Sequence, residues 1–430
     1  MYPHLDFFVF LTGAQHRQEL NSSGLHLTLH DIRSPCSPAA LPEIAAGEIL
    51  RRDQRRVADL ATRLAGGEAA IITPKALNVP LSAGVSVGVG NYVAKISLGT
   101  PARDYIVVFD TGSSLNWLQC KPCSISCHKQ VGPIFDPAAS SSYRTVPCSS
   151  PECNELQSAT LNPPSCSRSK ICIYQASYGD GSFSVGYLSK DTLSLGGGGG
   201  AVPGFVYGCG QDNEGLFGNT AGLIGLARNR LSMLYQLGAK YGYAFSYCLP
   251  TKSATGFLSI GSYNPAQFSF TPLVPNRLDG SLYFLSLAGV SVGRGQLAVA
   301  ASEYKRLPTI IDSGTVITRL PTAVHEALSK AVVAALARYP RAPAYSILET
   351  CFKGSFRTLP VPEVTITFAG GAQLKLAAGN VMYDVSSTTT CLAFAPTSNV
   401  AIIGNRQHQT FKVVYDVTRS RIGFAAGGCS

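Results

Sequence analysis

Short apolar runs recur along most of the chain, separated by clusters of Gly, Pro, Ser and Asn. Tyr92-Val93-Ala94-Lys95-Ile96-Ser97-Leu98 alternates apolar and polar, the period of a half-buried strand. Val107-Val108-Phe109 and Thr309-Ile310-Ile311 are β-branched and aromatic and predict buried strands. Ala221-Gly222-Leu223-Ile224-Gly225-Leu226 and Ala401-Ile402-Ile403-Gly404-Asn405 predict two more short apolar strands. Across 173–188, strand residues flank Gly179-Asp180-Gly181, which predicts a hairpin with Tyr178 beside its tip. Helical spacing appears in three places. It covers 43–65 (Ile44, Leu50, Val57, Leu60, Leu64), 231–241, and 322–338, the last with Pro321 at its start and Pro340 beyond its end. The chain is therefore expected to be all-β with a few short helices. No apolar run approaches the ~20 residues of a membrane-spanning helix.

Two apolar runs end alike. Phe109 is followed by Asp110-Thr111-Gly112-Ser113, and Ile311 by Asp312-Ser313-Gly314-Thr315. Each is followed later by an apolar-apolar-Gly strand, at 223–225 and at 402–404, in the same order in both halves. Residues 282–292 take the place ahead of the second Asp that 92–98 take ahead of the first. That order predicts an internal duplication into two pseudo-symmetric lobes. A chain of 430 residues can bury two cores. The expected division is 1–78 as signal remnant and prosegment, 79–270 as the N-terminal lobe and 271–430 as the C-terminal lobe.

Charge adds one constraint. The formal net charge is +10, yet residues 1–78 are balanced, with 8 basic and 8 acidic residues. The excess lies in 79–430, with 27 basic and 17 acidic. This implies solubility and loose association with polyanions or DNA, but no Lys/Arg run or stacking-aromatic pattern marks a dedicated nucleic-acid site. Of the 13 cysteines, twelve fall between Cys120 and Cys429, an even number suited to six disulfides and an oxidising compartment. Cys120-x2-Cys123-x3-Cys127-His128 has the look of a zinc knuckle, but the surplus of cysteines favours a disulfide-stapled insertion. No metal or cofactor is expected. The N-terminal run Phe7-Phe8-Val9-Phe10-Leu11 is a poor signal-peptide pattern, and Asn21-Ser22-Ser23 is a weak glycosylation acceptor. The cysteines argue for secretion, with vacuole or plastid as the other destinations.

The repeated loops carry the candidate chemistry. Asp before Thr-Gly or Ser-Gly is an ordinary turn device when it occurs once. Occurring twice in a duplicated chain, it points to two carboxylates sharing one site. Two carboxylates in contact keep one proton at mildly acidic pH. The ionised member then takes a proton from water while the other polarises a carbonyl, which is general acid–base hydrolysis of an amide. Asp110 and Asp312 are the catalytic candidates. Gly112, Ser113, Gly314, Thr315 and Tyr178 are candidates for holding the carboxylates and the substrate. The hydroxyls of Ser113 and Thr315 would orient the acids, and Tyr178 would close over them. Arg51, Arg52, Arg55 and Arg56 form a basic face on the predicted helix at 43–65. Ahead of the β-rich part, that helix is expected to be a prosegment whose arginines cover the carboxylate pair. The other reading is a helix that touches a membrane or a partner. The seven histidines offer few candidates for a Ser/His/Asp arrangement, and no Gly-x-Ser-x-Gly elbow, phosphate loop or His-Glu-x-x-His occurs.

These motifs together resemble the pepsin-type aspartic peptidases. The cysteine-rich insertion, with Phe135-Asp136-Pro137 and Ser140-Ser141-Ser142-Tyr143, is similar to the plant nepenthesin-like branch. The run from Tyr207-Gly208-Cys209 to Gly215-Leu216-Phe217 is similar to the subgroup with the chloroplast nucleoid DNA-binding aspartyl proteases. The resemblance covers about 91–430, and the upstream part resembles a prosegment. It implies a bilobal β fold with a cleft between the lobes and endopeptidase activity on extended peptides at acidic pH; the sequence itself gives no reason to expect an oligomer, so a monomer is expected. The resemblance also implies Asp110 and Asp312 as the dyad, Tyr178 as the flap residue, and a Cys351–Cys391 pair. A second reading on the same fold is a non-catalytic protein that inhibits cell-wall hydrolases.

Overall fold

In each half a buried strand ending in Asp is flanked by the apolar-Gly strand written later in that half. The computed structural model describes residues 24–39, 45–65, 92–178, 182–195, 200–215, 217–252 and 254–429. The N-terminal run, the acceptor at 21–23, Ile44, the link 66–91, the hairpin tip 179–181 and the glycines 196–199 lie outside them. The first labelled elements are β1 (Gly24–Asp31), α1 (Ala46–Leu64), β2 (Tyr92–Leu98), β3 (Arg103–Asp110) and β4 (Trp117–Gln119). They are followed by β5 (Gly222–Gly225) and α2 (Met233–Tyr241). The second half has β6 (Thr309–Ile311), β7 (Thr318–Pro321), α3 (Thr322–Ala335) and β8 (Ala401–Ile403).

In the first half, β5 runs parallel to β3, with Gly225 opposite Asp110, and antiparallel to β4. In the second, β8 runs parallel to β6 and antiparallel to β7. The same three-strand arrangement thus occurs twice, as the duplicated sequence order requires. Both faces are buried for β3 from Tyr105 onward and for β6, which explains the apolar runs 105–109 and 310–311. The structure is mostly β, and its helices are short apart from α1 and α3.

Residues upstream of β2 are built into the sheet. β1 lies between the strand Gly256–Gly261 and β2, pairing Gly24 with Gly261 and His30 with Val93. Its alternating leucines bury Leu25 and Leu29 in the main core. This strand was not anticipated, although Leu25, Leu27 and Leu29 alternate plainly.

Six disulfides close the loops: Cys120–Cys209, Cys123–Cys127, Cys148–Cys166, Cys153–Cys172, Cys248–Cys429 and Cys351–Cys391. The zinc-knuckle reading ends here, because Cys120, Cys123 and Cys127 are all bonded as cystine. Cys351–Cys391 is the pair the resemblance implied.

Candidate active site

The two Asp loops meet at the base of a cleft. Asp110 ends β3 and Asp312 follows β6, and both are almost fully buried, at 2% and 1% exposed. Their inner oxygens converge on one nitrogen: Arg56 Nη2 donates to Asp110 Oδ1 at 2.8 Å and to Asp312 Oδ1 at 2.9 Å. Arg56 Nε donates to Asp312 Oδ2 at 2.8 Å. A guanidinium fork suits this task, since its planar donors match carboxylate geometry.

Each carboxylate is held by its own loop. The Gly112 N–H donates to Asp110 Oδ1 at 3.0 Å, and the Gly314 N–H to Asp312 Oδ1 at 3.1 Å. Ser113 Oγ donates to Asp110 Oδ2, and Thr315 Oγ1 to Asp312 Oδ2 at 2.6 Å. All four candidates beside the acids therefore direct their groups at the carboxylates. Glycine is needed at 112 and 314 because of the close approach. A Cβ at 314 would lie 2.7 Å from Asp110 Oδ1, and one at 112 would lie 3.0 Å from Asp312 Oδ1.

Asp312 responds electrostatically to Arg56. Burial pushes the Asp312 carboxyl up, but the Arg56 charge, its hydrogen bonds, the Thr315 hydroxyl and the Gly314 amide together hold it below the usual carboxylate range. In this arrangement Asp312 is ionised.

A second set of hydroxyls ties the loops to each other. The Ser313 N–H donates to Thr111 Oγ1 at 2.9 Å, and the Thr111 N–H to Ser313 Oγ at 3.2 Å. Sequence reasoning singled out the hydroxyl three residues after each Asp and passed over the one immediately after. The signal was present, because both copies carry a hydroxyl there.

Helix α1 fills the cleft. Leu50 and Ile49 pack with Val316, Ile317 and Tyr383, while Val57, Leu60 and Leu64 pack with Phe284, Ile310 and Ile402. Of the four arginines expected to cover the acids, only Arg56 reaches them. Arg51 and Arg52 pair with Glu48 on the same helix. Arg63, not anticipated, reaches across to Asp279, to Ser281 Oγ at 2.7 Å and to Gly112 O at 3.3 Å. Mid-helix, three residues before Arg56, Asp53 pairs with Arg319 at 2.8 Å.

Tyr178 stands on the far wall of the cleft, between strands Cys172–Ser177 and Phe183–Leu195. Trp117 Nε1 donates to its hydroxyl at 2.7 Å, and both rings meet Phe217 edge-on. The single tryptophan is thus both a core residue and the anchor of the hairpin aromatic.

Comparison with known proteins now has a geometry to match. A family model described as xylanase inhibitor N-terminal matches residues 92–262, and its xylanase inhibitor C-terminal companion matches 282–426. An aspartyl protease family protein of Arabidopsis thaliana is 41% identical over 423 residues, covering 96% of this chain and 89% of its own. The chain belongs to the pepsin-type aspartic proteases of plants. Aspartic proteinase nepenthesin-2 of Nepenthes gracilis is 32% identical to it, covering 97% of this chain and 93% of its own. Soybean basic 7S globulin shares the fold, with a TM-score of 0.62 at 21% identity over 79% of this chain and 94% of its own.

Histidine chemistry has no place at the protease's dyad. His408 is buried under it, with Nδ1 3.0 Å from the Tyr247 hydroxyl, and burial outweighs the attraction of Asp312 to push it down to about 4. His325 is buried on α3 against Phe394 O. Each is a core group with one ring nitrogen bonded, and burial keeps both neutral near pH 7.

Proposed function

We propose that the chain is an aspartic endopeptidase with Asp110 and Asp312 as its acid–base pair, here in a latent state with α1 as the prosegment helix. The observation that carries this is the convergence of two carboxylates, from equivalent loops of two half-chains, on a single guanidinium. When α1 leaves, the place of Arg56 between the oxygens is free for a water and a peptide carbonyl. One carboxyl keeps a proton and donates it to the carbonyl oxygen. The ionised partner takes a proton from the water as it attacks, forming a tetrahedral diol. Transfer of a proton to the nitrogen then lets the C–N bond break, and no covalent enzyme intermediate forms. The Gly112, Gly314, Ser113 and Thr315 groups hold the acids in place throughout. Tyr178 closes over the bound peptide. The disulfide set favours a secreted, oxidising setting.

The test is cleavage of a denatured protein at acidic pH by the processed chain, with pepstatin as inhibitor. Asp110→Asn is expected to lower kcat by at least ~10³, since removing a member of a concerted acid–base unit disables the unit. Unchanged cleavage in that variant sinks the reading. A folded, processed chain that cleaves nothing favours the alternative suggested by the family model's description, a protein that binds another hydrolase.

A further inference from the structure

The inside of the cleft carries a second charged site, four to seven residues along the chain from Asp312. The loop between Asp312 and β7 leaves the N–H groups of Val316 and Ile317 pointing into the cleft. Both donate to the Asp53 carboxylate, Val316 to Oδ1 and Ile317 to Oδ2 at 3.2 Å. Arg319 Nη2, from β7, meets the same Oδ2 at 2.8 Å. Two backbone amides and a guanidinium thus surround one carboxylate.

The counter-charge comes from α1. Arg319 is 1% exposed, and its Nη1 is held by Ile317 O at 2.8 Å, within its own strand segment. Its guanidinium's polar contacts to other elements among the described residues are to Asp53 and to Gln54 Oε1, both on α1. Removal of the helix therefore uncovers a cation whose position is fixed by its strand, beside two amides that lose their acceptor. A buried or half-buried cation without a partner is costly, so the opened cleft favours an anionic group at this point.

The site lies close to the scissile position. Asp53 and Arg56 are one helical turn apart, about 4.5 Å along the axis at 1.5 Å per residue, and Arg56 sits on the dyad. An extended peptide advances about 3.3 Å per residue. A side chain reaching the Asp53 position therefore belongs to a residue within about two places of the cleaved bond.

Resting on the endopeptidase reading above, we propose that Arg319 with the Val316 and Ile317 amides forms a specificity subsite for an acidic side chain of the substrate, which Asp53 occupies in the latent chain. The substrates are then polypeptides with Asp or Glu within about two residues of the scissile bond. Hydrogen bonds to a charged acceptor discriminate strongly against the neutral isostere, because the site's own groups are left unpaired.

The experiment uses the full chain brought to its processed form, as wild type, Arg319→Met and Arg319→Lys. Quenched-fluorescent peptides differ only in Glu or Gln at each of the two positions on either side of the cleaved bond. Assay at about pH 5.5 keeps the Glu side chain mostly ionised. The wild type is expected to prefer Glu to Gln at one of these positions by at least ~10-fold in kcat/KM, as charge-assisted hydrogen bonds imply. Arg319→Met brings that ratio close to one, and Arg319→Lys keeps part of it. A wild type that cleaves the peptides with a flat Glu/Gln ratio at every position overturns this inference alone. So does a ratio that survives in Arg319→Met. A wild type that cleaves none of them overturns the endopeptidase reading, and this inference with it. If Arg319→Met does not fold, the wild-type profile and Arg319→Lys still decide.

Discussion

At the scale of single residues, Arg56 holds the most chemistry, since from α1 it pairs with both candidate carboxylates, Asp110 and Asp312. Because Asp312 sits below its ordinary value while α1 is docked, docking gains stability from its ionisation. That stability is full above the undocked pair's titration and is lost as pH falls toward the docked value. Acidification therefore favours release of the helix. Asp53 does not share this: burial raises its carboxyl against the pull of Arg319 and the amides, so acid release does not come from it. Acid release should thus survive in Asp53→Asn and be lost in Arg56→Ala, as read by tryptic susceptibility of α1 across a pH series. Arg56→Ala should also raise cleavage of a quenched peptide by the unprocessed chain by at least ~10-fold, because breaking a buried charge pair typically costs about 3–5 kcal/mol and a proton on the dyad recovers part of that. No rise would mean that the helix is held by its apolar face alone. The hydroxyls of Ser113 and Thr315 were legible, because their spacing from Asp is short and local. The mutual bonds of Thr111 and Ser313 were not, because they join residues 202 apart in sequence.

At the scale of elements, α1 is the part that fills the cleft and that the proposed activation removes. Its apolar stripe and its basic face could both be read from sequence, but the stripe does not say which arginine points inward. That depends on the helix's rotation, which Leu50, Val57, Leu60 and Leu64 set by packing on the C-terminal half of the cleft. A synthetic peptide of residues 45–65 is expected to inhibit the processed protease competitively, and the same peptide with Arg56→Ala to be the weaker inhibitor by at least ~10-fold, for the same buried pairs. Equal inhibition by the two would place the affinity in the apolar contacts. The cysteine-rich insertion shows the same division. Its even count implied cystine, but which cysteines pair depends on where the strands bring them, as for Cys120, which follows strand segment 117–119, and Cys209 on the neighbouring segment 200–214.

For the whole molecule, the upstream residues are part of the folded sheet as well as a plug. β1 bridges Gly256–Gly261 and β2, two strands of the first half, and does so from outside both matched family regions. A chain beginning at residue 79 would expose the edge of Gly256–Gly261 and leave the places of Leu25 and Leu29 empty, a recipe for mispairing. It is expected to refold in markedly lower yield than the full chain under the same redox conditions, as measured by recovered monomer. Equal yields would show that β1 is dispensable for closing the sheet. What the linear chain settled was local and repeated: strand periodicity, two Asp-Gly loops in one order, a helix with a basic face, and enough cysteines for a stapled fold. Apolar burial and turn chemistry act over a few residues, so they can be read in order. What waited for the tertiary structure was every relation across the cleft, Arg56 on both acids, Asp53 against Arg319 and Thr111 against Ser313, and the place of β1 between Gly256–Gly261 and β2. Those depend on side-chain direction and on long-range register, which no run of neighbouring residues encodes.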